Sequence, residues 1–266
     1  MDRRAYLAAL GASAAGALAG CSVSLGNRVT RSGTRTFDPP DAIAVTTTNG
    51  GLTVTGADVD DVTVDYRITG PSRAAVDATS VVGARDGGRL SIELARGDAA
   101  GVQRTGAHLD VTCPGGTALV GADTSNGAIE VEGVAGDPVL STSNGRIEAR
   151  SIGGTVTADT SNGSITVRDV GALGGAATSN GGIDVDVPAV DGDVSVDTSN
   201  GNVSAALAPD LSVTVTASTT NGSVDVSGLQ FSSVSTGNER FAGTLGAGEH
   251  ALSFGTSNGS IELEAL

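Results

Sequence analysis

The sequence predicts an all-β fold, a parallel β-helix (β-solenoid) of about 18-residue coils, and three observations predict it. The tetrad Thr-Ser-Asn-Gly recurs along the second half of the chain. Columns of alternating apolar and polar residues follow it at fixed offsets. The composition suits a thin core, with 40 glycines in 266 residues, 2% aromatics and no tryptophan. Such a core is built from small and β-branched side chains rather than from aromatic bulk.

The first element is an address rather than part of the fold. Arg3 and Arg4 precede an aromatic and a leucine, and residues 5–19 are uncharged and weakly apolar. That stretch is too short to span a hydrocarbon core roughly 30 Å thick. The pair fits a twin-arginine export signal. Leu18-Ala19-Gly20-Cys21 has the form of a lipobox, with Cys21 as the lipidated residue. Stable anchoring would take two acyl chains. Residues 22–41 are polar and end in Asp38-Pro39-Pro40, which reads as a flexible tether.

The repeat body spans 42–266. Its turns are Asn126-Gly127, Asn144-Gly145, Asn162-Gly163, Asn180-Gly181, Asn200-Gly201, Asn221-Gly222 and Asn258-Gly259, with a variant at Asn49-Gly50. The glycines at 127, 145, 163 and 181 are 18 apart, and the later intervals are 20, 21 and 37. The last interval reads as two coils with a degenerate turn near Thr236-Gly237-Asn238. Gly50, Gly88 and Gly127 are 38 and 39 apart, which reads as two coils each.

Two places after each glycine stands Ile129, Ile147, Ile165, Ile183, Val203, Val224 or Ile261, and the next residue is polar. That alternation marks strands with one buried face. Val134, Ile152 and Val170 form a further inward column. An antiparallel meander is the alternative, because Asn-Gly between alternating strands is a strong hairpin signal. Constant period and column identity favour stacking of like on like. A single coil cannot bury enough to fold alone, so neighbours must stabilise each other and the ends need caps. Phe231, Phe241 and Phe254, with Leu245 and Leu252, read as core plus cap. The terminal stretch Ile261–Leu266 reads as an open edge available for association.

The formal charge is −15, and all 15 basic residues are arginine. Acidic, lysine-free and rich in alanine, valine and threonine, the composition resembles that of proteins from halophilic archaea. The charge argues against nucleic acid as a partner, and against electrostatic docking on anionic lipid.

Little points to chemistry. His108 and His250 stand in dissimilar contexts, and Cys113 alternates as a buried strand residue. Asp123, Asp159 and Asp197 each precede a turn asparagine by three, but calcium needs six to eight oxygens. No catalytic residue, metal ligand or cofactor is therefore assigned, and no small-molecule substrate is expected. Asn162, Asn202, Asn221 and Asn258 each head an Asn-x-Ser sequon, so they are candidate glycosylation sites.

The recurrent Thr-Ser-Asn-Gly with its alternating strand resembles the putative adhesin family of β-strand repeat proteins, a domain of unknown function, over about 42–266. The resemblance implies a non-catalytic surface protein. The expected role is a lipid-anchored adhesin or envelope structural protein, exposed outside the cytoplasmic membrane and contacting envelope glycans or surface proteins. A ligand-binding or envelope-sensing module is the alternative, and a polysaccharide-cleaving enzyme a weaker one.

Overall fold

The computed structural model describes residues 22–25 and 28–266, so Arg3, Arg4 and Cys21 lie outside the described residues. The first part of the chain carries β1 (Ser22–Leu25), β2 (Arg28–Phe37), β3 (Ala42–Thr46), β4 (Leu52–Ala57), β5 (Val62–Gly70), a short helix α1 (Arg73–Asp77), β6 (Thr79–Asp86), β7 (Arg89–Arg96) and β8 (Gly106–Pro114). The regular repeats follow as β9 (Ala118–Asn126), β10 (Ile129–Glu132), β11 (Val139–Asn144), β12 (Ile147–Asn162), β13 (Ile165–Asn180), β14 (Ile183–Val187), β15 (Val194–Asn200) and β16 (Val203–Leu207). The last part holds β17 (Val213–Asn221), β18 (Val224–Val226), β19 (Ser232–Gly237), β20 (Arg240–Leu245), β21 (His250–Asn258) and β22 (Ile261–Ala265).

These strands form two facing rows. The first runs β6-β7-β3-β9-β11-β12-β13-β15-β21-β17-β20-β19. The second runs β1-β2-β5-β8-β4-β10-β12-β13-β14-β16-β22-β18. Strands β12 and β13 turn the corner and belong to both rows, so the hydrogen bonding is continuous. Coil pairs on coil in parallel and in register: Ile129 faces Ile147, Ile147 faces Ile165, and Thr142 faces Thr160. The parallel solenoid is therefore the fold, and the meander is not.

The core is the thin layer between the rows. Ile129, Ile147, Ile165, Ile183, Val203 and Ile261 stack from one side against Ala122, Leu140, Ala158, Ala176, Val196 and Phe254 from the other, and all are buried. Val134, Ile152 and Val170 close the third side. The corner before them needs a left-handed residue, met by Gly133 (φ 69°), Ser151 (φ 52°) and Asp169 (φ 51°). Ser151 donates to the Asp169 carboxylate at 2.8 Å, which ties adjacent corners.

Antiparallel strands cap both ends. At one end, β2, β5 and β8 pair antiparallel, as do β6 and β7, and α1 buries Ala75 and Val76. At the other, the β19–β20 hairpin lies against β17, and Phe231 meets Phe241 edge-on with ring centroids 4.9 Å apart.

Four expectations need correction. Residues 28–37 are not tether: β2 pairs with β5 from Val29 to Phe37, and Arg28 pairs with β1. Alternation of Val29, Arg31, Arg35 and Phe37 with small polar residues is itself strand patterning, and the prolines come only after the strand. Gly87-Gly88 is not a coil turn but the hairpin between antiparallel β6 and β7. Asn49 stacks directly on Asn126, so the segment between is an excursion that builds the cap. Thr236-Gly237-Asn238 is likewise the β19–β20 hairpin turn.

The fourth correction concerns order. Strands β21 and β22 lie between β15–β16 and β17–β18, so the final coil in sequence is interior in space. Ile261 and Leu263 are fully buried there. The open terminal edge belongs instead to β18, whose Val224 and Val226 are only partly covered.

Candidate functional site

The repeated tetrad links the two rows, and each of its four residues has a separate cause. Its threonine points inward and is buried in all the coils. The hydroxyl donates to a turn-glycine carbonyl of the adjacent coil: Thr160 to Gly145 and Thr178 to Gly163 at 3.0 Å, Thr219 to Gly259 at 2.8 Å. A buried hydroxyl and a buried carbonyl thus satisfy each other.

Its asparagine builds a ladder. Asn126 donates its side-chain amide to Asn49, Asn144 to Asn126, Asn162 to Asn144, Asn180 to Asn162, Asn200 to Asn180, Asn258 to Asn200 and Asn221 to Asn258, at 2.9–3.1 Å. Every amide points the same way. The glycine follows from crowding. A Cβ at Gly145, Gly163, Gly181, Gly201, Gly222 or Gly259 would fall well inside 3.0 Å of a neighbouring glycine carbonyl oxygen. The Asn-Gly pair is therefore a close-approach signal here, not a hairpin signal.

The tetrad's serine points out. Ser143, Ser161, Ser179, Ser199 and Ser257 form one outer column of the first row, and Ser141, Asp159, Ala177, Asp197 and Gly255 form the column beside it. Together they line a shallow groove of about 650 Å³. Asp123, Asp159 and Asp197 are separated by Ser141 and Ala177, so strand spacing puts consecutive carboxylates about 10 Å apart. That is too wide for one cation to bridge. Asp123 has its carboxyl pushed up by partial desolvation.

On the second row, charged side chains pair across coils and along a strand. Arg168 bonds Asp184 at 2.6 Å and Asp186 at 2.7 Å, and both raise its pKa. Arg150 bonds Glu148 at 2.7 Å, and Arg146 bonds Glu130. Glu132, Arg150, Arg168 and Asp186 fall in one outward column; Arg168 pairs with Asp186 along it and with Asp184 diagonally, and pairs this near the surface each contribute little.

The remaining candidates do not converge. His108 lies on β8 beside Asp110 at 3.1 Å, whereas His250 opens β21 at the other end. Cys113 is buried, and desolvation pushes its thiol up to about 11. Among the described residues no three His, Cys, Asp or Glu side chains are grouped to hold a metal. No described helix is long and apolar enough to cross a membrane.

The four sequons separate by geometry. Asn162, Asn221 and Asn258 each donate from the amide nitrogen to the next asparagine and to a serine carbonyl. Asn202 stands beside the ladder, exposed, and its oxygen accepts from the Ser260 backbone N–H at 3.0 Å. Its amide nitrogen is free.

Residues 41–264, nearly the whole repeat body, match the Toastrack DUF4097 family. The chain belongs to the Toastrack DUF4097 family. Solved structures with a similar course include a putative adhesin from Parabacteroides distasonis ATCC 8503, at 12% identity and TM-score 0.43, covering 87% of this chain and 96% of that one. A putative adhesin from Parabacteroides merdae ATCC 43184 is 9% identical, with TM-score 0.43, over 88% of this chain and 95% of the other. A putative cell adhesion protein from Clostridium sporogenes ATCC 15579 is 10% identical, with TM-score 0.35, over 89% and 100%. No curated protein matches the chain. In this Toastrack chain the eight asparagines of the ladder are the repeat's signature, and the serine column runs one position before them.

Proposed function

We propose that this Toastrack protein is a non-catalytic surface lipoprotein that presents the outer face of its first row to envelope glycans or surface proteins. The carrying observation is the ungated serine and aspartate face, lined by Ser143, Ser161, Ser179, Ser199 and Ser257. A shallow hydroxyl-lined groove repeated at strand spacing suits an extended polymer, which gains many weak hydrogen bonds rather than one deep contact. The twin arginines Arg3 and Arg4 and the lipobox at Cys21 support export and anchoring in the outer leaflet of the cytoplasmic membrane.

Two measurements test this. Cells expressing wild type and Cys21→Ser are fractionated, and protease is applied to intact cells. The proposal expects a membrane-bound, protease-accessible wild type and a released variant; identical fractions for both would remove the anchor. Ser161→Arg with Ser179→Arg should abolish adsorption to purified envelope material without moving Tm. Undiminished adsorption would remove the face.

A further inference from the structure

A second polar groove lies on the other row, at the capped end where the first coil meets β8 and β5. About 770 Å³ in volume, it is lined by Arg28, Asn49, Arg67, Gln103, Arg104 and His108 among others, and by no carboxylate. Strand register assembles it. Arg67 of β5 stands directly opposite His108 of β8, and Thr69 opposite Gly106. Gly106 packs against the Asn49 backbone, and Gly51 against the His108 ring. Arg28 begins β2 beside the Val29–Gly70 pair.

Three features come together in this groove. Its arginines are unpaired. On the coils Arg146, Arg150 and Arg168 bind carboxylates, and on the caps Arg31, Arg85 and Arg96 reach backbone carbonyls. Arg28, Arg67 and Arg104 make no such bond; Arg35, Arg89 and Arg240 make none either, but each of those lies on a different strand, β2, β7 or β20, outside this groove. The nearest acids are already engaged: Asp110 by His108, and Asp65 by the Thr34 hydroxyl. The asparagine ladder also terminates here, donor end first. Asn49 accepts from Asn126 at 2.9 Å, while its own amide nitrogen has no partner. Because all the ladder amides are aligned, their dipoles add, and the positive end faces the groove.

We infer that this groove is an oxyanion site that takes the phosphate of an anionic membrane-lipid headgroup. Guanidinium groups match phosphate with paired N–H donors, and the unshared Asn49 amide supplies another. On a protein of net charge −15, three guanidinium groups without a carboxylate partner line this one groove, which favours an anion there. The choice of lipid rests on the anchoring proposed for Cys21, since Arg28 is only seven positions beyond it. The oxyanion site itself does not.

The test uses the full chain carrying Cys21→Ser, so that no acyl group contributes and failure of the anchor is read separately. Sedimentation with vesicles of phosphatidylglycerol and phosphatidylcholine is compared with phosphatidylcholine alone, and inorganic phosphate is titrated by calorimetry. Binding to the anionic vesicles, weakened at least tenfold by Arg67→Gln with Arg104→Gln but not by Arg146→Gln with Arg150→Gln, is the expected result. Binding of inorganic phosphate without vesicle binding would overturn the lipid source and leave the oxyanion site. Binding of neither, or binding unchanged in the Arg67/Arg104 variant, would overturn the site. Capture of a uronic-acid polymer in place of vesicles would reassign the groove to an acidic glycan and overturn the lipid.

Discussion

At the scale of single residues, the coil-to-coil spacing dictates identity more strictly than the turn does. Gly163→Ala would drive a Cβ into the Gly145 carbonyl, whereas a Cβ at Gly153 meets nothing within 4 Å. The first substitution should cost about 1–3 kcal/mol, as overpacking does, and the second should leave the urea midpoint unchanged. Cys113 gives a second prediction. Its thiol ionises near 9.0 when exposed and near 11 when folded, so between those values the unfolded chain holds fewer protons. Stability is therefore complete below pH 9 and declines as pH rises toward 11. Cys113→Ala should flatten that alkaline decline in a pH series of Tm. The glycine and asparagine columns were plain in the sequence, but their cause was not. Asn-Gly carries the same letters for a hairpin and for a stacked turn, and only the partner strand distinguishes them.

At the scale of elements, period told how many residues a coil needs but not where the coil sits. Ile147, Ile165 and Ile183 were readable as an inward column because the chain there advances one step per repeat. The intervals after Gly50 and Gly222 were misread because cap excursions, β5–β8 and β19–β20, consume about the same length as extra coils. Arg28 in a supposed tether, and Arg67 and Arg104 in the cap, share no motif, so nothing in the sequence foretold their meeting. The interior place of β21 makes its own prediction. Phe254 is 2% exposed, and Phe254→Ala should cost about 3–5 kcal/mol in equilibrium unfolding. Phe231, half-buried on the outer hairpin, should cost distinctly less when truncated.

At the scale of the whole molecule, thinness and charge act together. The core is two side chains deep, and the chain carries 30 acidic residues against 15 arginines. Self-repulsion of that excess opposes compaction at low ionic strength, and at about 1 M salt a Debye length of roughly 3 Å removes most of it. Tm should rise between 0.1 M and 2 M sodium chloride. A flat or falling Tm over that range would show that the acidic surface has no such role in stability.

The placement of β21 and β22 between older coils has a consequence in time. A ribosome makes the chain from one end, so β15–β16 and β17–β18 emerge before the strands that separate them exist. Until His250–Ala265 arrive, a gap one strand wide stands open in each row, with unpaired backbone on both of its sides. His250–Ala265 are a keystone, and the arch cannot close until they are set. A chain cut short before His250 thus presents raw sheet edges, the feature that invites pairing with other chains.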